Sequence, residues 1–67
     1  MKICVNGEHR EVEDSIRLEE FLRKLGVNKQ GIAVELNRQV IGKEVREDIF
    51  LKSGDQLEIV QFVGGGS

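Results

Sequence analysis

The chain contains no proline, no tryptophan and no tyrosine, and it holds a single cysteine, Cys4, and a single histidine, His9. Each scarcity excludes something. One cysteine cannot close an intramolecular disulfide, and one Cys with one His cannot complete the usual four-ligand set of a structural zinc site, so no metal is expected. A reducing, cytoplasmic setting is the expectation that follows. Ten basic residues against twelve acidic ones leave a net charge of −2. Without Trp or Tyr there is then neither a basic stripe nor a stacking platform for nucleic acid. No apolar run approaches the roughly 20 residues that span a bilayer, and the N-terminus lacks the charged-then-apolar pattern of a signal region. Neither nucleic acid nor a membrane is an expected partner.

Length is scarce as well. The chain has 67 residues, enough for one domain that buries only about 60% of the surface it exposes when unfolded. Little room remains for a private active-site cavity. No acid, base and nucleophile occur together at a recognisable spacing, so no catalytic residue is assigned and no enzyme is expected. Cys4 falls mid-strand, where a thiol packs as a small apolar group, and nothing nearby would activate it. His9, placed in a hairpin loop, reads as a surface histidine.

What is present is pattern, with 39% apolar residues at regular spacing, ample for a folded domain. Lys2-Ile3-Cys4-Val5 alternates polar and apolar, Asn6-Gly7 is a strong hairpin signal, and His9 to Val12 can return as the second strand. A two-residue loop would set Ile3 opposite Arg10. A four-residue loop, Asn6 to His9, sets Ile3 opposite Val12 and is preferred because it pairs two apolar residues. From Ile16 the period changes: Leu18, Phe21, Leu22 and Leu25 line one face of a helix that Gly26 ends, with Asp14 and Ser15 both candidate N-caps. The opposite face carries Arg17, Glu19, Glu20, Arg23 and Lys24, with Glu19–Arg23 and Glu20–Lys24 spaced as ion pairs on a solvated surface.

Ile32 to Leu36 reads as a largely buried strand, Asn37-Arg38 as a turn, and Gln39-Val40-Ile41 as a short return strand. Lys43 to Asp48 reads as a helical turn or irregular segment, with Val45, Ile49 and Leu51 as the apolar anchors. A turn at Lys52-Ser53-Gly54-Asp55 leads to a last strand, Gln56 to Val63. In that strand Leu57, Ile59 and Val63 do not all alternate cleanly with polar residues, because Val60 and Phe62 occupy the other face. One helix covers one face of a sheet, so Val60 and Phe62 form an apolar patch on the open face, or Phe62 folds over the edge to complete the core. After Val63 come Gly64, Gly65, Gly66 and Ser67. Three glycines have no side chain to pack and no preferred sign of φ, so they suit a thin, reaching tail as readily as a passive linker. The organisation is a body over 1–63 and a tail over 64–67.

The order of these elements together with the glycines resembles the β-grasp sulfur carriers, bacterial relatives of ubiquitin, and among them the ThiS family of thiamine (thiazole) biosynthesis. The resemblance is carried by Ile3-Cys4-Val5-Asn6-Gly7, Leu18 to Leu22, Ile32 to Asn37 with Val40-Ile41, Gly54 to Ile59, and Phe62-Val63-Gly64-Gly65-Gly66. It implies an α+β fold of the ubiquitin-like β-grasp type, a mixed sheet of four to five strands with one main helix on one face. The implied function is that of a carrier and cosubstrate. A ThiF-like adenylyltransferase would activate the terminal glycine carboxylate with ATP, a sulfur donor system would convert it to a thiocarboxylate, and a ThiG-like thiazole synthase would receive the sulfur. No cofactor would be bound by the chain itself, ATP being used by the activating partner. The resemblance places the reactive carboxyl on Gly66 after removal of Ser67, with Gly65 behind it; Ser67 stands where the family ends in glycine and reads as a trimmed precursor residue, an added residue or a tolerated variation. Val60, Phe62, Val63 and Gly64 are the candidate partner contacts. The alternatives are a MoaD-like carrier serving molybdopterin or another sulfur-transfer pathway, and a ubiquitin-like interaction module with an inert tail.

Overall fold

The computed structural model describes residues 1–27 and 31–62. β1 (Lys2–Val5) and β2 (Glu8–Glu11) pair antiparallel across the two-residue loop Asn6-Gly7. Both loop residues have positive φ, 51° and 85°, as a type I′ turn requires to match the twist of its strands. Ile3 therefore lies opposite Arg10, and the expected four-residue loop with Ile3 opposite Val12 is corrected. The apolar pairing that favours the longer loop is met one step along the ladder. Val12 donates its N–H to the Met1 carbonyl at 2.8 Å, and its own carbonyl accepts from the Met1 ammonium at 2.7 Å. Val12 thus meets Met1, and both pack against the core. His9 sits within β2, opposite Cys4, not in the loop. Every residue of β2 is exposed, and its charges suit an edge strand that must not recruit another.

The helix α1 (Leu18–Leu25) buries Leu18, Phe21 and Leu22, as the apolar spacing predicts, and Gly26 ends it with φ 80°. Neither Asp14 nor Ser15 caps its start. Arg17 is the N-cap residue and makes no side-chain capping bond. Backbone pairing replaces the cap: Leu18 donates its N–H to Ile49 O at 2.8 Å, and Leu51 donates to Ile16 O at 2.9 Å. An orphan amide of the first turn is thereby satisfied by a strand-like bridge. The Arg17 guanidinium lies over the Phe50 ring, 4.9 Å from its centroid. Lys24 pairs with Glu13 rather than with Glu20. The hydrogen bond to Glu13 holds its ammonium above the ordinary lysine range, with Glu20 adding only a longer-range charge effect.

β3 (Ile32–Leu36), β4 (Gln39–Val40) and β5 (Gln56–Gln61) complete a five-stranded sheet of order β2-β1-β5-β3-β4. β1 and β5 run parallel and the other neighbours antiparallel. This is the mixed β-grasp sheet, with α1 packed on one face. β3 is less uniformly buried than its composition suggests: Ile32 and Val34 point into the core while Glu35 is exposed. Ile3, Val5, Leu57, Ile32 and Val34 meet Leu18, Phe21 and Leu22 in the core.

Lys43–Asp48 is a 3₁₀ helix. Its expected apolar anchor, Val45, is exposed, and the buried residue is Arg46, at 4% exposure. Arg46 donates from Nη2 to Ile32 O at 3.4 Å. Successive residues of so tight a helix face different directions, and its register turns the long Arg46 stem inward while Val45 turns out. Leu51 is buried and Ile49 half-buried, as expected.

Candidate functional site

The helix covers the face formed by Ile3, Val5, Leu57, Val34 and Ile32. The other face is open. Alternation along β5 puts Glu58 and Val60 on that open side, and Phe62 follows in phase. Val60 is 57% exposed and Phe62 65%, so Phe62 does not fold over the edge to complete the core. Register adds residues that the sequence alone does not single out. Ala33 lies opposite Val60, and Glu35 opposite Glu58. Val40 lies opposite Glu35 and is 76% exposed. Cys4 and His9 share this face further from the end of β5, opposite one another. The pairing of β3 with β5 is non-local, so only the single-strand alternation of Val60 and Phe62 is visible in the sequence.

The end of β5 is held from both sides. On one side Phe62 donates its N–H to Gly31 O at 2.8 Å. On the other, β1 has already turned away, and the Asn6 side chain takes its place. Asn6 Oδ1 accepts from the Ile59 N–H at 2.8 Å, and Asn6 Nδ2 donates to Ile59 O at 3.2 Å. A second clamp fixes the start of the strand. Asn37 donates its N–H to Gln56 O at 2.8 Å, while its Oδ1 accepts from Gln56 N–H at 3.0 Å. The buried Asp55 carboxylate accepts from Asn37 Nδ2 at 3.0 Å and from Lys52 N–H at 2.7 Å. β5 is therefore a fixed rail, and its exposed end leads toward the glycines.

Val63, Gly64, Gly65 and Gly66, the remaining candidate residues, lie outside the described residues, as does Ser67. The boundary between body and tail at 63–64 lies there too. Among the described residues no three His, Cys, Asp or Glu side chains are grouped to hold a metal, and no helix is long and apolar enough to cross a membrane. A groove of about 210 Å³ flanks the hairpin tip and the end of β5, lined in part by Asn6, Arg10, Val27 and Gln61; it carries no catalytic grouping.

Comparison with known proteins places this geometry. The ThiS family model matches residues 3–66. A protein named thiazole synthase from Paramagnetospirillum magneticum is 42% identical over 67 residues, which is 100% of this chain and 21% of that protein. The chain thus spans about a fifth of the length of the thiazole synthases it matches. The sulfur carrier protein ThiS of Thermus thermophilus is 40% identical over 65 residues, covering 96% of this chain and 98% of that one. The crystal structure of the thiamine biosynthesis protein ThiS from Geobacter metallireducens superposes with a TM-score of 0.85 at 35% identity, covering 98% of this chain and 100% of that one. With the family match running from β1 through the glycines and a like-sized structure overlaying the whole sheet and helix, the chain belongs to the ThiS family.

Proposed function

We propose that the chain is a sulfur carrier of thiamine (thiazole) biosynthesis, a cosubstrate rather than a catalyst, which bears sulfur as a thiocarboxylate on a glycine. One observation carries the reading: the ThiS match covers the β-grasp body and the glycines together, over residues 3–66. The chemistry explains the residue types. A carboxylate is a poor electrophile. Attack of its oxygen on the α-phosphorus of ATP, with pyrophosphate leaving, makes an acyl adenylate; a sulfur nucleophile then displaces AMP. The adenylation belongs to a ThiF-like enzyme, and the carboxyl must reach ATP inside that enzyme's cleft. Gly66, after removal of Ser67, presents the carboxyl, and Gly65 and Gly64 keep the approach thin.

Ordering such a tail costs about 1–2 kcal/mol per residue in backbone entropy, so the tail is a poor source of affinity. Grip belongs to the body, and exposed Val60 and Phe62 on the rail of β5, continued by Val63, are the residues that supply it. The receiver of the sulfur is a ThiG-like thiazole synthase. Support comes from the Paramagnetospirillum thiazole synthase, which carries the matching stretch within its own length. A carrier joined to its acceptor implies a working contact between the two. The setting is cytoplasmic, where ATP and a reduced sulfur donor are at hand.

Intact-mass measurement tests the reading. The chain ending at Gly66, incubated with ATP, a cognate adenylyltransferase and a sulfur donor, is expected to gain the mass difference of one sulfur replacing one oxygen. The chain retaining Ser67 is expected to gain none. A tail that stays unmodified in both would leave an inert ubiquitin-like module as the better reading.

A further inference from the structure

The open face of the sheet is not uniformly apolar. At its middle Glu35 of β3 and Glu58 of β5 stand directly opposite each other, and both are exposed. The ladder bonds from Phe62 N–H to Gly31 O and from Asn37 N–H to Gln56 O mark every second pair as hydrogen-bonded. Glu35–Glu58 falls on that count, which sets the two Cα atoms about 5.5 Å apart. Like charges directly opposite in a sheet repel. The usual remedy is a lysine or arginine on the neighbouring strand. Here the neighbour is Val40 on β4, and the adjoining pair is Ala33–Val60. Neither carboxylate is ion-paired among the described residues. Among the described residues the two carboxylates thus stand together without a cationic partner, amid exposed Val40, Val60 and Phe62.

We infer that Glu35 and Glu58 are the charge-reading element of the docking face. Thiazole synthase lays an apolar patch against Val60, Phe62 and Val40 and brings a lysine or arginine between the two carboxylates. Arginine fits best, because its planar fork can donate to both at once. The inference rests on the carrier reading above, and it commits to thiazole synthase because a relative of that name contains this chain's counterpart. A second copy of this chain is the wrong occupant. It would bring two further carboxylates against the first two, and like-charge juxtaposition opposes such contacts.

The test is titration of purified cognate thiazole synthase with the full chain at low and high salt, in parallel with thermal unfolding of each variant. The double variant Glu35→Gln, Glu58→Gln is expected to bind about tenfold more weakly at low salt and to lose most of the salt dependence. Its melting temperature should be no lower than that of the unaltered chain, since a repulsion has been removed. Phe62→Ala is expected to weaken binding while keeping the salt dependence. If the double variant binds as well as the unaltered chain and with the same salt slope, while Phe62→Ala weakens binding, the inference is overturned and the carrier reading stands. The inference is equally overturned if the double variant binds unchanged and newly self-associates, which would make the carboxylates mere guards against pairing of copies. If the unaltered chain does not bind thiazole synthase at all, the inference falls together with the reading it rests on.

Discussion

Asn6 adopts a positive φ at the tip of the first hairpin and from there uses its side-chain amide on both the N–H and the C=O of Ile59. The hairpin signal Asn6-Gly7 is legible in the sequence because it is local. The partner of Asn6 is 53 residues away, and no local pattern announces it. Asn6→Ala loses both bonds and leaves two strand groups of β5 unpaired on that side. Both bonds are exposed, so water can take the place of the lost side chain, and the expected loss is about 0.5–1.5 kcal/mol in urea unfolding, with faster amide hydrogen exchange at Ile59 than at the Phe62 N–H, which Gly31 holds. Asp55 is a second case. Composition predicts the turn at 52–55 but not the burial of its carboxylate, since a turn aspartate is ordinarily solvated. Asp55→Ala removes the acceptor for Lys52 N–H and Asn37 Nδ2, and we expect a destabilisation of about 1–3 kcal/mol, read from the urea midpoint.

At the scale of elements, α1 is only eight residues long, too short to persist alone in water. Its stability comes from its buried face and from the bridge of residues 16–18 to 49–51. Phe21→Ala should cost about 3–5 kcal/mol and leave the chain largely unfolded at modest urea. Arg17→Ala should cost only about 0.5–1 kcal/mol through its exposed contact with Phe50, measured the same way. The helical stripe is readable because 3.6-residue periodicity is a property of one segment. Its start is not, because the group that satisfies Leu18 N–H is Ile49 O, again non-local. The hairpin register misleads for a related reason: pairing Ile3 with Val12 ignores Met1, which takes Val12 as its own partner. The 3₁₀ helix hides Arg46 because a segment rich in charge reads as solvated, whereas its tight turn sends one long stem inward.

For the molecule as a whole, the two faces of one sheet divide the labour. The covered face holds the core, and the open face, with Val60 and Phe62 exposed, is the one proposed for a partner. Replacing Val60 by Ser and Phe62 by Ala together should leave folding stability within about 0.5 kcal/mol but reduce affinity for thiazole synthase by about 2 kcal/mol or more. Calorimetric titration beside thermal unfolding would separate the two effects. The open patch is foreseeable from the slip in alternation along β5; its carboxylate centre requires the β3–β5 register. In the proposed function the sulfur rides on a glycine carboxyl and not on Cys4, the one thiol of the chain. The most direct test is to activate the chain ending at Gly66 with ATP, adenylyltransferase and sulfur donor, and trap new sulfur nucleophiles with an alkylating reagent after first blocking Cys4. The label is then located by fragmentation mass spectrometry. The account predicts the label on the carboxyl of Gly66, dependent on ATP. A label carried as a persulfide on Cys4 where blocking is omitted, with Gly66 unmodified, would contradict it.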